Sequence, residues 1–187
     1  MMDEKSLTQL PADLPVPVDD GAAAHLTGMR MPHVALEATD GSTTDLADVS
    51  GTVVVFAYPR TGKPGEPSLT PDWDQIPGAR GCTPHTSGFR DHDDEFKALG
   101  VRVFGLSTQD RAYQQEMVER VGVQFPVLSD HDLALTEALN LPTFDVAGQT
   151  LLKRIAWIAR DGVIERVFYP VFPPDANAAE VLAALRA

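Results

Sequence analysis

The sequence predicts an α/β fold in which a central mixed sheet is flanked by helices on both faces. Three observations carry this. Val53-Val54-Val55-Phe56-Ala57 is a short, almost wholly apolar run, the pattern of a central strand buried on both sides. Downstream of it, strand-like and helix-like segments alternate. Near the C-terminus two β-type runs flank Arg160-Asp161-Gly162, a hairpin signal, so the sheet must also contain antiparallel pairing.

Each element follows from local pattern. Residues 1–24 are polar, acidic and interrupted by Pro11, Pro15 and Pro17, which reads as an N-terminal extension outside a single domain spanning 25–187. Tyr58-Pro59 ends the central strand. Residues 60–81 carry Pro64, Pro67, Pro71 and Pro77 among several glycines, too broken for helix or strand, and form a long loop insertion of the kind that is often functional. From Cys82, the spacing of Phe89, Phe96 and Leu99 predicts one helix, with Asp91, Asp93, Asp94 and Glu95 facing outward and Gly100 as the stop. Val101 to Leu106 is a second strand. Ser107-Thr108 then cap a helix bearing Tyr113, Met117 and Val121 and ending at Gly122. Phe125 to Leu128 reads as a third strand and Asp130 to Leu139 as a short helix. Arg154 to Ala159 and Val163 to Phe168 make the hairpin, and Asn177 to Arg186 closes the chain as a helix.

Composition narrows the function classes. The net charge of −12 argues against nucleic acid or an anionic membrane as partner, because phosphate recognition needs clustered Lys and Arg. No apolar run is long enough to cross a bilayer, and the charged start Asp3-Glu4-Lys5 does not read as a signal peptide, so a cytoplasmic protein is expected. A single cysteine excludes an internal disulfide.

That cysteine, in Gly81-Cys82-Thr83-Pro84-His85, lies where the irregular loop passes into helix. A helix N-terminus offers unpaired N–H groups and partial positive charge, which favour a thiolate. The competing reading is a small buried hydrophobe. Other candidates weigh less. His85 reads as a solvent-facing first-turn residue, with tuning of the thiolate as the alternative. Asp91-His92-Asp93-Asp94 is a solvated helix face, since consecutive residues cannot converge on a metal ion. Thr61-Gly62-Lys63-Pro64-Gly65 lacks the spacing of a phosphate loop. Arg90-Asp91 fits an ordinary surface pair as well as one that orients the helix. Trp73 and Trp157 read as packing residues.

Taken in order, Tyr58-Pro59, Gly81-Cys82-Thr83, Gly88-Phe89-Arg90-Asp91, Phe125-Pro126-Val127-Leu128-Ser129-Asp130 and Arg154 before Asp161-Gly162 resemble the peroxiredoxins of the Q type, or bacterioferritin comigratory proteins, over roughly Leu26 to the C-terminus. The resemblance implies a thioredoxin-like fold. It also implies a thiol peroxidase that reduces hydrogen peroxide and organic hydroperoxides without metal, haem or flavin. A thioredoxin-like protein or a small thiol would be the reductant, and the enzyme would be a monomer. Cys82 would be the peroxidatic cysteine and Arg154 the arginine that binds thiolate and peroxide, against the alternative of a salt bridge at a strand end. Pro59 would shield the sulfur, with Gly81 and Thr61 completing the substrate site.

Two departures stand out. The family threonine three residues before the cysteine is replaced by Ala79, and Thr61 is the candidate to supply the missing hydroxyl. The resolving cysteine five residues after the first is Ser87. A serine cannot form a disulfide, so either an outside thiol completes turnover or Ser87 is a substituted cysteine; in both cases Cys82 stops at sulfenic acid or a mixed disulfide. Two alternative functions remain open on the sequence: a peroxide sensor that passes oxidation to a partner, and a non-enzymatic binding or holdase protein on the same fold.

Overall fold

Along the central run, Val53, Val55 and Ala57 enter one apolar layer while Val54, Phe56 and Tyr58 enter another, because successive side chains of a strand point to opposite faces. The computed structural model describes residues 2–187. The chain runs α1 (Glu4–Thr8), β1 (Ala35–Ala38), β2 (Thr43–Asp45), β3 (Thr52–Ala57), α2 (Cys82–Asp91), α3 (Asp93–Ala98), β4 (Arg102–Ser107), α4 (Arg111–Val121), β5 (Val127–Ser129), α5 (Ala134–Leu139), β6 (Thr143–Val146), β7 (Gln149–Leu152), β8 (Ile155–Arg160), β9 (Val163–Phe168) and α6 (Asn177–Arg186). Seven strands form one sheet in the order β2-β1-β5-β4-β3-β8-β9. The β3, β4 and β5 strands are parallel and the outer pairings antiparallel, as a mixed sheet requires. Among the described residues no helix is long and apolar enough to cross a membrane.

The 160–162 hairpin forms as its sequence predicts, with Asp161 at φ 47° and Gly162 at φ 78°, both left-handed as a two-residue turn of this kind requires. Several other details differ. The helix begun at Cys82 breaks at His92, whose φ of −103° and ψ of 6° leave the helical range, so α2 and α3 are separate. The break re-aims the apolar stripe: Phe96 is fully buried, whereas Leu99 is 42% exposed. Asp93 is turned inward rather than to solvent and binds Lys97 at 2.6 Å. Asp110, not Ser107-Thr108, caps α4, its carboxylate accepting from the Tyr113 N–H at 2.8 Å. Ser107 instead accepts from the Gln114 side chain. The short helix α5 starts at Ala134, because Leu133 is left-handed and the buried Asp130 carboxylate reaches forward to the Leu135 and Thr136 N–H groups. The β1–β2 and β6–β7 hairpins left no readable signal: each strand has three or four residues, too few to show a period.

The loop insertion holds only a 3₁₀ turn at Trp73–Gln75 before it delivers the chain to α2. Gly81 makes that junction. Its φ of 105° suits glycine, and a Cβ there would stand 2.5 Å from Pro174 Cγ and 2.8 Å from Leu10 Cδ2. Gly81→Ala is therefore expected to lower stability by about 2 kcal/mol or more through strain and overpacking together, measured as a shift in the urea midpoint with unchanged slope.

Candidate active site

Cys82 is the first residue of α2 and is 4% exposed, set in the apolar layer with Phe56, Tyr58 and Phe89. Phe89 stacks on Phe56 at 4.2 Å between ring centroids, which fixes α2 against β3. Three polar groups surround the sulfur. Arg154 Nη2 donates to Sγ at 3.2 Å, the Arg60 N–H donates at 3.4 Å, and the thiol faces the Ala79 carbonyl at 3.5 Å. Loss of the thiol proton costs only the last of these, and the Ala79 oxygen then keeps its bond from Arg154 Nη2 at 3.2 Å. The environment is built to hold negative charge on sulfur. The first turn adds the Cys82 and Thr83 N–H groups, while Pro84 has none to offer.

Arg154 lies one residue before β8, where the sequence placed it on the strand itself. It is 3% exposed and forms no ion pair with any carboxylate among the described residues. Its Nη2 instead reaches the carbonyls of Gly78, Ala79 and Arg80, each at 3.2 Å. The loop insertion therefore turns three consecutive carbonyls inward to solvate one guanidinium.

His85 corrects a sequence expectation. It is fully buried, not solvent-facing, and links Arg154 to α6. Its Nδ1 accepts from Arg154 Nη1 at 3.0 Å and its Nε2 donates to Asn177 Oδ1 at 2.9 Å; the tautomer is fixed because guanidinium can only donate. Burial, then the positive charge of Arg154, hold the imidazole well below its ordinary pKa, with the Asn177 bond opposing them. The neutral ring keeps its lone pair on Arg154. Burial and the nearby sulfur also push the Tyr58 phenol above its ordinary value, so it too stays neutral.

The remaining candidates divide. Pro59 is buried and sets the chain direction that aims the Arg60 N–H at sulfur. Thr61 is buried, but its hydroxyl donates to Gln109 Oε1 at 3.2 Å, and Gln109 Nε2 returns a bond to the Thr61 carbonyl; it pins the loop instead of replacing the missing threonine hydroxyl at the sulfur. Ser87 is half-buried on the same helix as Cys82. Five residues of α-helix turn it roughly 140° away and about 7.5 Å along the axis, out of reach of the sulfur. The acidic run near His92 does not converge: His92 binds Glu95 and Asp93 binds Lys97. Trp157 is a packing residue, whereas Trp73 both packs on Phe144 and lines the opening at Cys82.

The N-terminal segment covers that opening. Met2 and Leu7 line it together with Arg60, Gly62, Arg80 and Thr83, and only about 20 Å³ is left beside the sulfur. Met2 pairs through its backbone with Gly65 and Glu66, Leu7 is 6% exposed, and Arg80 holds the Ser6 carbonyl and the Asp74 carboxylate. Asn177, Gln109 and Arg80 carried no sequence signal, because their roles depend on contacts between distant segments.

The Redoxin family profile matches residues 26–185. Peroxiredoxin Bcp of Escherichia coli K12 is 32% identical over 142 residues, covering 73% of this chain and 81% of that protein. This chain belongs to the peroxiredoxin family. The peroxiredoxin is thus a thiol peroxidase, an oxidoreductase with a thioredoxin-like fold. Peroxidoxin BcpB of Mycobacterium tuberculosis matches its structure with a TM-score of 0.68 at 26% identity, over 86% of this chain and 96% of that one. A mutant PrxQ of Xylella fastidiosa gives 0.69 at 20% identity over 86% and 94% of the two chains, a likeness of fold.

Two outcomes test this geometry. Removing residues 2–10 is expected to speed labelling of Cys82 by a bulky maleimide at least roughly tenfold, because the cover must otherwise open first; rates are read by intact mass. The second concerns His85. The unfolded imidazole takes a proton below pH ~6.5 while the native ring does not, so the unfolded state binds more protons and stability falls with falling pH. That contribution is flat above pH ~6.5 and reaches at most about 1.4 kcal/mol per unit below it. Urea denaturation between about pH 7.5 and 5.5 should show this slope in the wild type and lose it in His85→Gln.

Proposed function

We propose that this peroxiredoxin reduces hydrogen peroxide and organic hydroperoxides with Cys82 as the attacking sulfur and Arg154 as the group that stabilises developing charge. The observation that carries this is the convergence of Arg154 Nη2 and the Arg60 N–H on Cys82 Sγ at 3.2 and 3.4 Å. The thiolate attacks the terminal peroxide oxygen in line with the O–O bond. The S–O bond forms as the O–O bond breaks, sulfur is oxidised by two electrons, and the leaving hydroxide or alkoxide takes a proton to give water or alcohol. Thiolate formation alone gives little rate, so the larger share must come from donors aimed at the leaving oxygen. Arg154 and the first N–H groups of α2 supply them. Pro59 shields the sulfur, Gly81 lets α2 begin against Leu10 and Pro174, and Thr61 with Gln109 holds the loop that carries Arg60.

Ser87 leaves the sulfenic acid to an outside thiol. One thiol condenses with it, releasing water and forming a mixed disulfide, and a second releases Cys82. A thioredoxin-like protein or a small thiol fits this need. The reading takes the enzyme as a monomer working in a reducing compartment such as the cytoplasm, with residues 25–187 as the catalytic domain.

Cys82→Ser is expected to abolish peroxide consumption and dimedone labelling. Arg154→Ala should lower the second-order rate of Cys82 oxidation by roughly 10²–10³-fold. A variant lacking Arg154 that keeps wild-type kinetics in stopped-flow measurements would remove the assignment.

A further inference from the structure

Asn177 is the first residue of α6, yet its side chain does nothing for the backbone of that helix. Ala176 holds the capping position without a side-chain bond, and the Asn177 amide bonds no N–H of the first turn. It is 1% exposed and faces His85 instead, its Oδ1 accepting from Nε2 at 2.9 Å. Its Nδ2 donates at 3.4 Å to Glu180 Oε2 on the same helix, which leaves Oδ1 as the end turned towards the ring. A chain of hydrogen bonds therefore runs from an exposed carboxylate to the buried sulfur, through Glu180, Asn177, His85, Arg154 and Cys82.

The donors and acceptors along this chain have one consistent order. Arg154 can only donate, so His85 Nδ1 must be bare, and the ring proton on Nε2 needs an acceptor. An amide oxygen supplies that acceptor without a charge. A carboxylate in the same place would draw a second proton onto the ring, and an imidazolium presents N–H at both nitrogens. Nδ1–H would then face Arg154 Nη1, donor against donor and cation against cation. The other groups around the ring do not supply this control. Phe56 of β3 and Phe89 of α2 meet it edge-on, with centroids at 5.0 and 5.5 Å. Cys82 lies one turn earlier on α2, and the exposed Asp175 approaches α2 with its backbone at Gly88.

We infer that Asn177 is a positioning residue for peroxide reduction: its amide oxygen keeps His85 in the Nε2–H form, so that Nδ1 holds Arg154 against Cys82. The inference rests on the roles proposed above for Cys82 and Arg154. Asn177 acts through two intervening side chains and touches neither sulfur nor peroxide. The guanidinium is thus gripped from two sides, at Nη2 by the carbonyls of the loop insertion and at Nη1 by α6 through the imidazole.

The test measures the second-order rate of Cys82 oxidation by hydrogen peroxide in stopped flow for Asn177→Leu and Asn177→Asp, both close to the natural side chain in size. Asn177→Leu removes the acceptor and is expected to slow oxidation at least roughly tenfold. In an Arg154→Ala background the same change should cost nothing further, because it acts through that arginine, whereas a merely structural role would slow both backgrounds alike. Asn177→Asp should react slowly while the ring is protonated and regain speed as the ring loses that proton, so its rate relative to the wild type climbs between about pH 6 and 9. An NMR spectrum of isotopically labelled histidine in the wild type gives a reading free of any variant, with His85 neutral and protonated on Nε2. A wild-type rate in Asn177→Leu, an equal loss in both backgrounds, a flat ratio for Asn177→Asp, or a wild-type His85 protonated on Nδ1 each overturns the inference and leaves Cys82 and Arg154 in their roles. Arg154→Ala reacting at the wild-type rate removes those roles and the inference with them.

Discussion

The site depends on a guanidinium buried without a carboxylate. Taking an unpaired charge out of water costs several kcal/mol unless fixed dipoles replace the solvent. Here the carbonyls of Gly78, Ala79 and Arg80 and the Nδ1 of His85 do so. This solution leaves the charge of Arg154 uncompensated by any carboxylate, and the Cys82 sulfur is the group it meets at 3.2 Å. A carboxylate in the place of His85 would satisfy the arginine more strongly and weaken its hold on the sulfur. The requirement also explains why the loop insertion is ordered: its carbonyls can solvate Arg154 only if the chain from Gly78 to Gly81 is held in one conformation.

Helix α2 is the platform on which this arrangement is mounted. It is anchored below by the Phe56–Phe89 stack, with the His85 ring edge-on to Phe56 at 5.0 Å, and laterally by Asn177 of α6. The same rigidity keeps residue 87 away from the sulfur. Where a cysteine at that place would have to unwind the helix to reach its partner, Ser87 makes no such demand, and α2 can stay intact through oxidation and reduction. Among the described residues, the opening that has Cys82 in its wall is the one lined by Met2 and Leu7.

Residues 2–24 thus belong to the working surface. Met2 and Leu7 narrow the space at Cys82, Leu10 packs at Gly81, and Pro17 and Val18 wall an apolar cavity beyond Arg154. Their polar, proline-broken sequence has no periodicity because, beyond the short helix α1, the segment lies on the domain without regular structure and buries single residues instead of a repeating face.

The central strand, the alternation around it, the 160–162 hairpin and the terminal helix were all legible in the chain, because each rests on a local period or a turn residue with a fixed backbone requirement. Cys82 and Arg154 could be picked out by their order and spacing among other motifs. The break at His92, the reversal of Leu99 and Asp93, the burial of His85, the turn of Thr61 towards Gln109 and the partnership with Asn177 could not. Those outcomes were decided by which distant surfaces meet. A histidine in a polar first turn has the same local sequence whether water or a buried arginine stands opposite it, and only the packing of α2 against β8 and α6 makes it a neutral, buried acceptor for Arg154. By itself the sequence determined the layers of the fold and singled out Cys82; the tertiary structure decided what surrounds its sulfur, since the two donors that reach it, the Arg60 N–H and Arg154 Nη2, come from segments far apart in the chain.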